Sequence, residues 1–120
     1  MRAIRPADFV INEDPRGLSR HDAMFAPAQS IADGQIVAAK IVDGMTLFAA
    51  LNPAATDGTE NAAGISVFRF FTGAGQTVRS PIIARKSTVR AGDLTWPPGI
   101  TAEQQAAAEK RLRAMGIEIQ

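Results

Sequence analysis

The side chains that most often do chemistry are few in this 120-residue chain and poorly placed for it. His21 is the only histidine, so one chain has no imidazole pair for a metal and no second histidine to share catalytic work. It stands beside Asp22 and, since a working base needs an oriented partner nucleophile, reads as a solvated surface group. Ser19, Ser30, Ser66, Ser80 and Ser87 occupy no Gly-x-Ser-x-Gly elbow; Gly64-Ile65-Ser66 opens like one and then continues Val67-Phe68, which is strand sequence. Gly73-Ala74-Gly75 lacks the third glycine of a dinucleotide fingerprint and precedes no helix, so it reads as a hairpin turn. Asp57-Gly58-Thr59-Glu60-Asn61 offers oxygens but too few carboxylates for a calcium loop, and reads as turn chemistry. With no cysteine, disulfides and thiolate metal sites are excluded. No catalytic residue, cofactor or metal is expected.

The elements that would position these groups are mostly strands. Asp33-Gly34, Asp43-Gly44, Asp57-Gly58 and Gly73-Ala74-Gly75 punctuate apolar runs at Ile36–Val42, Thr46–Leu51, Ala63–Phe71 and Pro81–Val89. Asp43-Gly44 predicts a type I′ hairpin, whose two central residues need positive φ. The spacing predicts an all-antiparallel sheet with no βαβ unit. One helix is expected from Ala102 to Met115: Thr101 and Gln104 form a capping-box pattern, and Gly116 supplies the stop. Ala108, Leu112 and Met115 make a narrow apolar stripe that suits a helix lying on a surface. Ile117-Glu118-Ile119 alternates like a terminal strand. Residues 1–30 look different. Pro6, Pro15 and Pro27 forbid a continuous helix, and Phe9-Val10-Ile11 is one short strand-capable patch. The expected organisation is an extended N-terminal arm over residues 1–30 and a β-rich body over residues 31–120.

Composition bounds what such a body can do. Alanine supplies 22 residues, so a 46% apolar fraction conceals a small stock of large core side chains. A modest core of this kind is completed by oligomerisation or by docking on something larger. The formal charge is +1, with Arg79, Arg85, Lys86, Arg90, Lys110, Arg111 and Arg113 concentrated in residues 79–113. No basic block is interleaved with aromatics, so the pattern reads as a solvated face, with no nucleic-acid partner. Met1 to Phe9 is too polar for the core of a secretory signal, and no apolar run approaches the roughly 18 residues of a bilayer span, so no membrane partner is expected.

Two longer motifs stand out. Asn52-Pro53-Ala54-Ala55-Thr56-Asp57-Gly58 is one; Leu94-Thr95-Trp96-Pro97-Pro98-Gly99-Ile100-Thr101, with the only tryptophan, is the other. Two roles are open to Trp96: a binding-surface aromatic, or a packing anchor that fixes the turn into the helix. Together with Leu18-Ser19-Arg20, Ala62-Ala63-Gly64-Ile65, Ile83-Ala84-Arg85 and Met115-Gly116-Ile117, these motifs resemble the head decoration protein D family of tailed phages, the lambda type. The resemblance implies a mainly β fold of the β-clip kind with one short C-terminal helix. It also implies a non-enzymatic homotrimer that binds the outer surface of an expanded phage head at local three-fold sites and stabilises the shell against DNA pressure. The implied partner is the major capsid protein, met by an N-terminal arm whose matching positions are Phe9, Val10, Ile11, Asn12, Leu18, Ser19 and Arg20. Asn52, Pro53, Asp57, Gly58, Trp96 and Pro97 match as structural motif residues, while Met1 to Pro6 match no pattern of that family. The implied location is the virion, after synthesis in the host bacterial cytoplasm. Two other classes compete: a trimeric nucleotide hydrolase on a related β-clip scaffold, and a non-viral oligomeric binding module. The hydrolases use an active-site tyrosine, and this chain has no tyrosine.

Overall fold

A computed structural model describes residues 9–120. Its strands, in chain order, are β1 (Val10–Glu13), β2 (Arg20–Phe25), β3 (Ser30–Ile31), β4 (Ile36–Val42), β5 (Met45–Ala50), β6 (Ala62–Ser66), β7 (Phe70–Phe71), β8 (Val78–Ile83), β9 (Ser87–Val89) and β10 (Ile117–Ile119). One α-helix, α1 (Ala102–Ala114), precedes β10. The fold is mainly β and rich in antiparallel pairs, as expected.

Strands β2, β5, β4, β6 and β8 close into a barrel in that order. The β4–β5 hairpin turns at Asp43 and Gly44, whose φ values of 50° and 78° meet the requirement of a type I′ turn. Alternation along the strands fills both sides of the barrel wall. Ile36 and Ala38 join one buried cluster with Phe9, Leu51, Ile65 and Ile83; Val37, between them, joins a second with Ala23, Phe25, Phe48 and Ile82. Phe25 is the hub of the second cluster, edge-on to Phe70 with ring centroids 4.7 Å apart.

The helix covers the first cluster. Thr101 Oγ1 accepts from the Gln104 amide at 3.1 Å, and Gln104 Oε1 accepts from the Thr101 amide at 3.0 Å, so the capping box is complete. This reciprocal cap is worth about 1 kcal/mol. Ala108 and Leu112 are buried, and Met115 packs at the margin. Gly116 then turns the chain at φ 91° into β10, which pairs with β9.

Several expectations need correction. The sheets are not all antiparallel: β10 runs parallel to β9, with α1 as the crossover, and β2 meets β5 in a parallel bridge at Phe25 and Phe48. A βαβ unit is therefore present, hidden from sequence because both strands have only three residues. The run Ala63–Phe71 is two strands. Ser66 Oγ donates to the Phe68 carbonyl at 2.8 Å and turns the chain, so that Phe70–Phe71 pairs with β3 in a separate ribbon. Pro81–Val89 also breaks, at Lys86, which takes a φ of 48° with no glycine to announce it. Gly73-Ala74-Gly75 is a turn but not a hairpin, since β7 pairs with β3 while β8 pairs with β2 and β6.

The largest correction concerns residues 9–30. Residues 1–8 of the expected arm lie outside the described residues. From Phe9 onward the segment belongs to the body: Phe9 is 2% exposed within the first core cluster, and Ala23 and Phe25 of β2 are fully buried. β2 pairs with β8 over all six of its residues. Burying a phenylalanine ring and completing a ladder on the barrel outweigh the solvation of an extended polar segment.

Candidate functional site

β1 lies at the edge of the three-stranded sheet β1-β9-β10, hydrogen-bonded to β9 on one side. Val10 pairs with Val89 and Asn12 with Thr88, and the register slips between them, so Ile11 is the extra residue of a bulge. Ile11 is 44% exposed. An edge strand with an outward apolar residue is a template for another strand.

The chain after β1 is held by a dense local network. Ser19 is buried; its hydroxyl accepts from the Asp14 amide at 2.8 Å and donates to the Lys86 carbonyl at 2.6 Å. The Ser19 carbonyl accepts from the Ala84 amide at 2.8 Å, and Arg85 Nη1 donates to the Leu18 carbonyl at 2.6 Å. Asp14 Oδ1 accepts from the Arg16 amide at 2.8 Å, and the Arg16 guanidinium, first among the causes, holds the Asp14 carboxyl below its ordinary range. Arg20 grips Glu13 with two nitrogens at 2.8 and 3.1 Å, which keeps its guanidinium firmly charged. Such an exposed pair positions the loop more than it stabilises the fold. Between this loop and the sheet lies an open groove of about 480 Å³, lined by Asn12, Glu13, Arg16, Lys86, Ser87 and Glu118 among others. Ser87 Oγ is buried there with no hydrogen-bond partner among the described residues.

The seven expected capsid-binding positions therefore divide. Ile11, Asn12, Leu18 and Arg20 are exposed and Val10 is half-buried, whereas Phe9 and Ser19 are interior and shape the edge instead of presenting it.

The two motifs are tied to the body by hydrogen bonds and packing. Asn52-Gly58 is a loop tied at both ends: the Asn52 amide donates to the Thr59 carbonyl at 2.8 Å, and Asp57 Oδ1 accepts from the Thr59 amide at 3.0 Å and from its hydroxyl. The Thr59 hydroxyl is the first cause of the lowered Asp57 pKa. Gly58 sits at φ 106° with a would-be Cβ 2.9 Å from the Ala39 carbonyl oxygen, so any side chain there is strained and forces the backbone to shift. Pro53 is half-buried and Asn52 exposed. Trp96 and Pro97 are half-buried; Trp96 packs on the first core cluster with Leu94 and Ile100, which favours the anchor over the surface role. Thr95 locks that segment to the barrel, donating to the Gly34 carbonyl at 2.9 Å and accepting from the Ile36 amide at 3.1 Å.

The exposed His21 ring lies 5.9 Å, centroid to centroid, from the ring of the buried Phe48. Among the described residues no three His, Cys, Asp or Glu side chains converge on a metal position, and no helix is long and apolar enough to cross a membrane. Sequence reasoning passed over one feature: Ile41, Val42, Met45, Phe68 and Phe71 are large apolar side chains exposed to solvent. Its sequence signal is Ile41-Val42 and Met45 directly flanking Asp43-Gly44, where a hairpin tip is ordinarily polar.

A search of curated proteins returned no match. The family model for the bacteriophage lambda head decoration protein D matches residues 2–117, which takes in Arg2 to Pro6, residues the motif comparison had left out. A match over nearly the whole chain places this protein in the bacteriophage lambda head decoration protein D family.

Proposed function

We propose that this chain is a non-enzymatic cement protein that seats as a homotrimer at local three-fold positions on the outer surface of an expanded phage head and stabilises the shell against DNA pressure. The observation that carries the reading is the family match over residues 2–117. The edge position of β1 and its exposed Ile11 support it, because a strand of the major capsid protein adding to that edge is β-augmentation: main-chain hydrogen bonds give affinity and alternate side chains give register. Residues 1–8, which precede β1 in the sequence, belong to the proposed docking segment. Three copies of the edge per trimer multiply a weak contact, provided their spacing matches the lattice. Because the trimer binds assembled shell and not free subunits, it stabilises the shell by mass action. No nucleic acid and no membrane take part, and the protein is made in the host bacterial cytoplasm before joining the virion.

Deleting residues 1–8 tests the docking segment and leaves Phe9 in the core. The truncated protein should fold, keep its oligomeric state and bind expanded heads at least tenfold more weakly, read by sedimentation with purified heads. Full-affinity binding would remove the N-terminal segment from the interface.

A further inference from the structure

The β4–β5 hairpin outgrows the barrel. β4 pairs with β6 only at Ile36, Val37 and Ala38, and β5 meets β2 only at Phe48, so Lys40–Thr46 projects as a two-stranded ribbon. An isolated two-stranded ribbon is marginal in water. This one carries Ile41 at 75%, Met45 at 51% and Val42 at 39% exposure, on both of its faces. A second apolar patch surrounds Phe71, 72% exposed, and Phe68; beside it is a depression of about 250 Å³ lined by Ser30, Ile31, Ala32, Gln35, Arg69 and Phe71. That volume is below the roughly 300 Å³ at which small-molecule pockets begin, and it suits one or two inserted side chains.

The two patches sit at opposite ends of β4. Gln35 lines the depression and Val42 ends the strand seven residues on, about 23 Å away at the rise of a β-strand. Contact of either patch with the same patch of a second copy would cover one and leave the other in water. Docking the tip of one copy into the depression of the next covers both, and such a head-to-tail contact closes into a ring when the rotation allows. Charge agrees with the pairing: Asp43 caps the tip, whereas the Arg69 guanidinium beside the depression is 73% exposed and reaches Asp33 only at 4.0 Å. We infer that the Ile41–Met45 tip of one copy docks into the Phe71–Arg69 depression of a second copy of this chain, and that three such contacts close the homotrimer. The inference rests on the trimer reading above.

The absence of native cysteine makes the test clean. Met45→Cys and Phe71→Cys are prepared as separate variants, mixed, and treated with a short thiol-to-thiol crosslinker. The mixture should give a covalent dimer of twice 12.7 kDa, while neither variant alone should crosslink to itself. Ile41→Asp, at a position outside the core, should convert the trimer to a 12.7 kDa monomer at equal concentration. A trimer that crosslinks within a single variant, fails to crosslink in the mixture, or survives Ile41→Asp overturns the tip-to-depression contact and leaves the trimer reading intact. A wild-type protein that is monomeric by mass overturns both.

Discussion

Replacing Phe9 by alanine separates an arm laid on the body from a segment built into it. The ring is 2% exposed and packs among Ile36, Leu51, Val89 and Leu112. Burying a phenylalanine removes about 150–250 Å² from water, and Phe→Ala changes in such sites cost about 3–5 kcal/mol including the cavity left behind. A chain of 120 residues has an unfolding entropy near 0.25 kcal/mol/K, from about 2.1 cal/mol/K per residue. The expected fall in Tm is therefore roughly 12–20 °C. Ile11→Ala, two residues away on the exposed bulge, should move Tm by about 2 °C or less. Calorimetry at one protein concentration measures both, because association otherwise shifts Tm by itself. A Phe9→Ala protein that melts within about 3 °C of wild type would refute the reasoning, since the ring could not then be part of the cooperative core.

Other outcomes follow from the same packing. Ser87→Ala should leave stability unchanged or raise it by up to about 1 kcal/mol in urea unfolding, because the buried hydroxyl has no partner to lose among the described residues; a loss above about 1 kcal/mol would mean a partner outside them. Gly58→Ala should cost about 1–3 kcal/mol, since a Cβ at φ 106° meets the Ala39 carbonyl at 2.9 Å; an unchanged urea midpoint would contradict that contact. Asp57 has a lowered folded-state pKa, so its ionised form contributes stability above the ordinary value of 3.8, and that contribution is lost as pH falls through the folded pKa. Asp57→Asn should accordingly flatten the acid limb of the stability profile below the ordinary value of 3.8, and an unaltered slope would remove Asp57 from the account.

Where local chemistry decides, the sequence was legible. Asp43-Gly44 names its own turn, and Thr101 with Gln104 names the helix start, because each acts within four residues. The strands it concealed are those whose reason lies elsewhere in the chain. Arg20-His21-Asp22-Ala23-Met24-Phe25 is half polar and reads as arm, yet β8 lies beside it and the barrel needs Ala23 and Phe25 inside. Ser66 and Lys86 end strands without glycine or proline, through a hydroxyl bonded to a nearby carbonyl in one case and a left-handed backbone in the other. The candidate edge was half visible. Phe9-Val10-Ile11 was recognisable as strand, but the bulge that turns Ile11 outward while Phe9 turns inward depends on pairing with β9. Ser19 gives no hint by type that it ties the loop to Lys86 across 67 positions.

Incubating the purified protein with expanded, undecorated phage heads and with unexpanded ones, then sedimenting and imaging both, tests the decorating role most directly. The account predicts saturable binding to expanded heads alone, as three-lobed density on the outer surface at local three-fold positions. Protein that stays in the supernatant with expanded heads, or that coats both forms without order, would contradict it.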